Sequence, residues 1–253
     1  MALLDVERIK LFSTRAPWWC MVLAAALTVG FTVLLVANAG TTFPLAVSTT
    51  QFAYNFGLMV VMVMAALAIT TEYRFGTIKS TFQAVPNRTA VLVSKTVVVA
   101  LLAGVVGEII AFACWGVARL MKPDADLAIR TASDWRNVAG VGPVYFGGAI
   151  LALGVGMLIR QTAGAVSIIL VWSLLAESLV GLVPTIGVKI QAWLPFNVAG
   201  HFVNGDEPAT GGVQGRGAGI DFAMSPWVSL LYFMGVAVAL LVIGIVVVNK
   251  RDA

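Results

Sequence analysis

The chain has 253 residues, 60% of them hydrophobic and 11% charged, with a mean hydropathy of +0.95 and a formal net charge of +4. A soluble globular domain is nearer about half apolar and about a quarter charged, so this balance excludes an ordinary soluble enzyme and indicates an integral membrane protein. The excess of lysine and arginine is no nucleic-acid signature, because the basic residues line the edges of apolar runs instead of forming a patch.

The N-terminal segment, 1–16, mixes Asp5, Glu7, Arg8, Lys10 and Arg15 with Leu3, Leu4, Val6, Ile9, Leu11 and Phe12. On a helical wheel its apolar residues do not gather cleanly on one face. Trp18 and Trp19 nevertheless mark an interface just after it, so the segment reads as a helix lying on the membrane surface. The first apolar run, 18–37, is longer than a secretory signal core and is read as a retained span. An uncharged loop follows, and the second span covers 52–70.

Between this span and the third, at 96–118, lies a short loop with Arg74, Lys79, Arg88 and Lys95 against Glu72. Short loops so biased toward lysine and arginine stay on the cytoplasmic side. Gly76 is expected to break the preceding helix and Thr77 to cap a new one. Ile78, Phe82 and Val85 fall at i, i+4 and i+7, one face of a helix of about two turns. Pro86 stops that helix, Asn87-Arg88 turns the chain, and Thr89 is placed to cap the next span.

A mixed-charge segment, 119–142, carries Trp135 and is read as an external loop with room for a short helix; it leads to the fourth span at 143–159. A tight cytoplasmic turn at Arg160-Gln161-Thr162 joins it to the fifth, 163–182, which ends in a break at Pro184 and Gly187. Residues 190–203 are apolar enough to dip into a membrane but too short to cross it. A glycine-rich stretch, 204–219, precedes the sixth span at 226–248, which ends at Lys250-Arg251. With both termini inside, ten of the sixteen lysines and arginines fall on the cytoplasmic side, concentrated in short loops and near span ends. No internal repeat supports an inverted-repeat transporter. Cys20 and Cys114 sit at different depths of two helices that run the same way, so no disulfide is expected.

Two carboxylates fall within spans, Glu108 in the third and Glu177 in the fifth. A charge at mid-bilayer costs about 2.5–3.5 kcal/mol on insertion scales, so each is expected to face protein or water. Small residues accompany both: Ala100, Gly104 and Ala111 share a stripe with Glu108, and Ser173 and Gly181 share one with Glu177. Glu108, Ser173 and Glu177 are therefore candidates for a translocation path or a helix seam, with a purely structural glutamate as the competing role and a proton relay as a lesser one, since no intramembrane His, Lys or Arg stands out as its partner. Gly148, Ala152 and Gly156 form a packing stripe in span four. Trp172 and Trp193 are read as interface anchors or packing.

No G-x-x-x-x-G-K-[ST] occurs, so the chain has no P-loop for ATP. No catalytic set is evident. His201 stands alone in a loop with no Cys/His cluster around it, which argues against a zinc site and for a solvated side chain.

Glu72, the run Arg74-Phe75-Gly76-Thr77-Ile78, then Pro86-Asn87-Arg88 and Lys95 resemble the E…GTI…P-x-R…K pattern found between the second and third spans of ABC-2 type (type V) transporter permeases. The likeness in length and span layout covers the whole chain; the motif likeness is confined to this loop. The resemblance implies an all-α membrane fold of six transmembrane helices. It adds an N-terminal interfacial helix, a cytoplasmic coupling helix between spans 2 and 3, and a re-entrant external segment between spans 5 and 6.

It further implies the permease subunit of an ATP-driven transporter in a bacterial-type plasma membrane, paired with a second permease subunit, identical or related. ATP and magnesium would be held by separate cytoplasmic ATPase subunits. Glu72, Arg74, Phe75, Gly76, Thr77, Ile78, Phe82, Arg88 and Lys95 would form the ATPase-coupling interface. In it Glu72 and Arg74 would pair with charges on the ATPase or the connecting helix, and Arg88 and Lys95 would fix the loop against headgroups. The resemblance implies an exporter, and the aliphatic spans with little fixed charge favour a hydrophobic or amphipathic cargo. A membrane-embedded accessory or assembly protein that translocates nothing is the alternative reading.

Overall fold

The computed structural model describes residues 2–39, 45–85, 87–184, 186–205 and 220–251. Every regular element among them is helical. Short α1 (Ala2–Ser13) precedes α2 (Arg15–Asn38), and a 3₁₀ turn (Ser48–Gln51) leads into α3 (Tyr54–Phe75). Then come α4 (Thr77–Ala84), α5 (Arg88–Met121), α6 (Ala132–Ala139) and α7 (Val141–Ile159). A broken helix follows: α8 (Thr162–Val171), a π turn (Trp172–Ala176) and α9 (Glu177–Val180). Short α10 (Gly187–Gln191) and α11 (Pro195–Asn204) precede the final α12 (Pro226–Arg251). Six of these helical stretches are long and apolar enough to cross a membrane, as a multi-pass membrane protein requires.

The bundle is built around α7, which packs on α3, α5 and α12. Glycines on two of its faces make this possible. A Cβ at Gly154 would lie 2.8 Å from the backbone of Leu240 and Leu241, so α7 and α12 touch main chain to main chain there. On another face, Gly148 and Gly156 press against Leu58 and Ile69 of α3, the packing use expected of the Gly148–Ala152–Gly156 stripe. Tyr145 is the wedge of this core. Its hydroxyl donates to the Tyr54 carbonyl at 2.8 Å, and it fits because Gly57 and Gly107 leave the space its ring and hydroxyl fill.

The elements depart from the expected spans mainly at their ends. The third is longer than 96–118, because α5 starts at Arg88 with the Asn87 side chain accepting from the Ala90 N–H. The cap expected at Thr89 is therefore made two residues earlier; Thr89 instead accepts from Asn249 Nδ2 at 3.0 Å. The 119–142 segment contains the short helix that its reading left open. A capping box between Thr131 and Asp134 starts α6, whose pattern of hydrogen bonds turns directly into α7. In the fifth span the helix opens into a π turn before it ends at Val180. Pro86 and most of the glycine-rich 204–219 stretch lie outside the described residues. Cys20 and Cys114 are both free thiols.

Candidate functional site

One end of the bundle collects α1, α4, the last turn of α3 and the first turns of α5. The chain reverses there at Gly76, whose φ of 71° is left-handed and open to glycine without strain. Gly76 closes α3 and also stands at the N-cap of α4, where Thr77 was expected. The Thr77 hydroxyl points back instead, making a long 3.5 Å contact to the Glu72 carbonyl. Within α4, Ile78 is buried and Phe82 half-buried, while Lys79 is exposed. Val85 falls just past the helix in extended backbone, so the inward face of α4 ends one turn earlier than its spacing suggests. Phe75 is 71% exposed with the Arg74 guanidinium over its ring at 5.5 Å, and Arg88 covers Phe82 at the same distance. Arg74, Phe75 and Lys79 are thus presented outward from the reversal.

Beneath that surface lies a compact ion cluster. Lys95 is only 4% exposed. Its ammonium donates to Glu7 of α1 and, at 2.9 Å, to Glu72 of α3. Lys10 completes the set, donating to Glu7 at 3.0 Å and to Thr81 of α4 at 3.3 Å, with Glu72 at 3.5 Å. Burial works against the Lys10 charge, but Glu7 and Glu72 outweigh it and hold the ammonium above its ordinary value. Four helices are therefore tied through two lysines and two glutamates. Lys95, expected to set the loop against headgroups, is instead the buried hub of the cluster. Glu72 meets α1 through Lys10.

Glu7 and Lys10 are site residues that sequence reasoning passed over. The wheel of α1 looked disordered because it was read for a buried apolar face. The face that turns inward carries Leu3, Glu7, Lys10 and Leu11 at i, i+4, i+7 and i+8, while Leu4, Val6 and Ile9 point out. In lipid an apolar residue needs no protein cover, so buried charge and exposed aliphatics are the usable signal.

The remaining candidates lie elsewhere and do not converge. Glu108 sits at the α5–α7 seam, where a Cβ on Gly142 would come within 2.4 Å of its Oε1; its Oε2 is buried with no hydrogen-bond partner among the described residues. Glu177, 1% exposed, belongs to the opposite end of the bundle. Its carboxylate accepts from the backbone N–H groups of Phe196 and Asn197 at 3.0 and 2.9 Å and from the Trp172 indole at 3.1 Å. It thereby caps α11 from a distance, satisfying donors at a helix N-terminus that also favours negative charge. Gln191 reinforces the joint by donating to the Glu177 carbonyl at 2.9 Å. Ser173 is buried one turn before, in the π turn, and donates to Leu170 O at 3.4 Å.

Two aromatic and imidazole groups also find definite places. Trp193 is exposed and packs edge-on to Tyr232, whose hydroxyl donates to its carbonyl. His201, expected in solvent, is 4% exposed: it stacks on Phe222 and shares a 2.9 Å hydrogen bond with Ser229 of α12. Its segment is a helix docked on α12 rather than a loop, which the isolated histidine alone did not disclose. No family model and no curated protein matches the chain.

Proposed function

We propose that this chain is the membrane-spanning subunit of an ATP-driven transporter of the ABC-2 type, an exporter of hydrophobic or amphipathic compounds. The observation that carries the reading is the pairing of an outward-facing basic reversal, Arg74 to Lys79, with a buried ion cluster directly behind it. A partner pressing on α4 would not displace a loose connector. It would load Thr81, Lys10, Glu7, Glu72 and Lys95 together, and through them α1, α3 and α5.

On this reading the reversal lies in the cytoplasm and receives separate ATPase subunits, which hold ATP and magnesium. Nucleotide-driven closure moves α4 about Gly76. The cluster then hands the movement to the spans, and access at the seam with a second permease subunit, identical or related, switches sides. Glu108, whose buried Oε2 has no partner among the described residues at the α5–α7 seam, is placed to respond when those two helices shift. Both termini are cytoplasmic and the membrane is a bacterial-type plasma membrane.

The test is co-purification of the full chain from its native membrane, with mass spectrometry of what accompanies it. A Walker A ATPase recovered with the wild type, and recovered several-fold less with Arg74→Ala, supports the proposal. A chain that elutes without an ATPase overturns it and favours a membrane-embedded accessory protein.

A further inference from the structure

A half-enclosed cleft of about 500 Å³ opens between α1, α2, α3 and α5, beside the ion cluster. Its long wall is apolar, with Pro17, Met64, Leu67, Ala68 and Val98. Its other end is lined by Glu7, Lys10, Glu72 and Lys95. The size suits one small-molecule-sized group, since ligand sites run to roughly 300–1,000 Å³. The division between wall and end is that of an amphiphile.

The depth of the cleft identifies the amphiphile's orientation. It lies where α1 passes into α2, next to Trp18 and Trp19, which are 53% and 71% exposed. Exposed tryptophans at the end of a span sit at the headgroup level. The charged end is thus level with lipid headgroups and the apolar wall with the first part of the acyl chains. A molecule in the cleft is held as a bilayer lipid is held.

Charge decides which lipid. The four ionic groups sum to zero, two carboxylates against two ammoniums, so an anionic headgroup would bring a charge that nothing balances. A zwitterion brings one charge for each sign. The groups are also unequal in reach: Lys95 is locked between Glu7 and Glu72, whereas the Lys10 side chain is 37% exposed and that of Glu72 13%. Lys10 holds two of its partners only at 3.3 and 3.5 Å, contacts that a phosphate oxygen can replace. Both ion pairs of Glu72 fall on Oε1, so neither occupies its Oε2. A carboxylate oxygen accepts hydrogen bonds from a primary ammonium, which a quaternary ammonium has no N–H to give.

We infer that this cleft is a binding site for the headgroup and the first part of one acyl chain of a zwitterionic phospholipid of the surrounding bilayer bearing a primary ammonium, its phosphate on Lys10, its ammonium on Glu72 and that chain along α2, α3 and α5. The site requires only that these helices lie in a bilayer. It does not depend on an ATPase partner, and loss of that partner leaves it standing.

The test is native mass spectrometry of the full chain in detergent after exchange from bilayers of equal phosphatidylethanolamine, phosphatidylglycerol and phosphatidylcholine. One phosphatidylethanolamine is retained, preferred over each of the other two by about tenfold or more, as about 1.4 kcal/mol of headgroup discrimination gives. Lys10→Glu, at a half-exposed position, abolishes the preference. Ala68→Trp fills the wall and abolishes retention itself, while Lys79→Glu, exposed and outside the cleft, leaves both unchanged. Thermal melting of each variant separates loss of the site from loss of the fold. Equal retention of the three lipids, a preference for phosphatidylglycerol, or a preference unchanged in a folded Lys10→Glu protein would overturn the assignment.

Discussion

At the α4 end of the bundle two glutamates, buried Glu7 and half-buried Glu72, are held by lysine side chains around Lys95. At the α11 end Glu177 is buried against main chain, with two backbone N–H groups and an indole as donors. The difference lies in what each arrangement permits. Lysine carries its charge on a flexible four-carbon stem, so a shift of α1 or α4 can be followed without losing every contact. A helix N-terminus has fixed donors, and moving α11 relative to α9 breaks them together. We expect the α4 end to be the deformable end and the α11 end the anchored one.

The largest expected effect breaks the hub. Lys95→Met leaves buried Glu7 and half-buried Glu72 to share the partly exposed Lys10 as their one remaining cation in the cluster, and removal of one partner from a buried pair costs up to about 3–5 kcal/mol. The variant should melt far below the wild type in detergent. Adding Glu72→Gln should recover part of the loss, because Lys10 then balances the one carboxylate that remains, Glu7. A Lys95→Met protein with an unchanged melting temperature would mean that the cluster is not buried as described.

Next comes the anchored end. Glu177→Gln keeps the shape but exchanges a charged acceptor for a neutral one and turns an NH₂ toward donors. Hydrogen bonds to charged groups contribute about 1.5–3 kcal/mol, so destabilisation in that range is expected, centred on α11. Hydrogen exchange should show α10 and α11 opening while α1 and α4 keep their protection. If protection fell equally at both ends, the two would not be independent and the comparison would lose its meaning.

How much of this was legible beforehand follows from the kind of signal involved. Six spans could be read from apolar length alone, and the Gly76 reversal from one glycine between two helical patterns. The Glu7–Lys95 contact could not be read: it joins residues far apart in sequence, and no spacing rule within one helix reports it. The inward face of α1 does not stand out on a helical wheel, because beside a bilayer the buried face need not be the apolar one. Glu177 was recognised as a costly carboxylate, but its partners are backbone N–H groups, present in every sequence and silent in it. His201 was misplaced for a related reason, since stacking on Phe222 depends on how α11 docks against α12.

A smaller effect should distinguish the deformable end by its response to pH. The Lys10 ammonium is held above its ordinary value of 10.5 in the folded chain by Glu7 and Glu72. Its contribution to stability is therefore complete below the unfolded lysine value and is lost as pH rises through the higher folded one. Raising the pH beyond about 10.5 should lower the melting temperature of the wild type more than that of Lys10→Met, which has no such proton to lose. Equal alkaline slopes would show that the Lys10 contacts do not contribute.

The smallest effect on the fold tests what the deformable end is for. Arg74 is exposed and lies over Phe75, itself exposed, so Arg74→Ala removes a surface contact whose loss is within about 0.5 kcal/mol. Melting temperature, lipid retention and hydrogen exchange of the bundle should all stay at wild-type values. A guanidinium held at the rim of a protein interface behaves differently: its removal slows association and alters the salt dependence. Capture of an ATPase subunit by Arg74→Ala should fall several-fold, and raising the salt should weaken wild-type capture toward the variant's level. A fold left intact with partner capture lost would separate the outer surface of the reversal from the cluster behind it, one receiving force and the other passing it on. Capture unchanged at low and high salt would leave the ion cluster as a stabilising device alone.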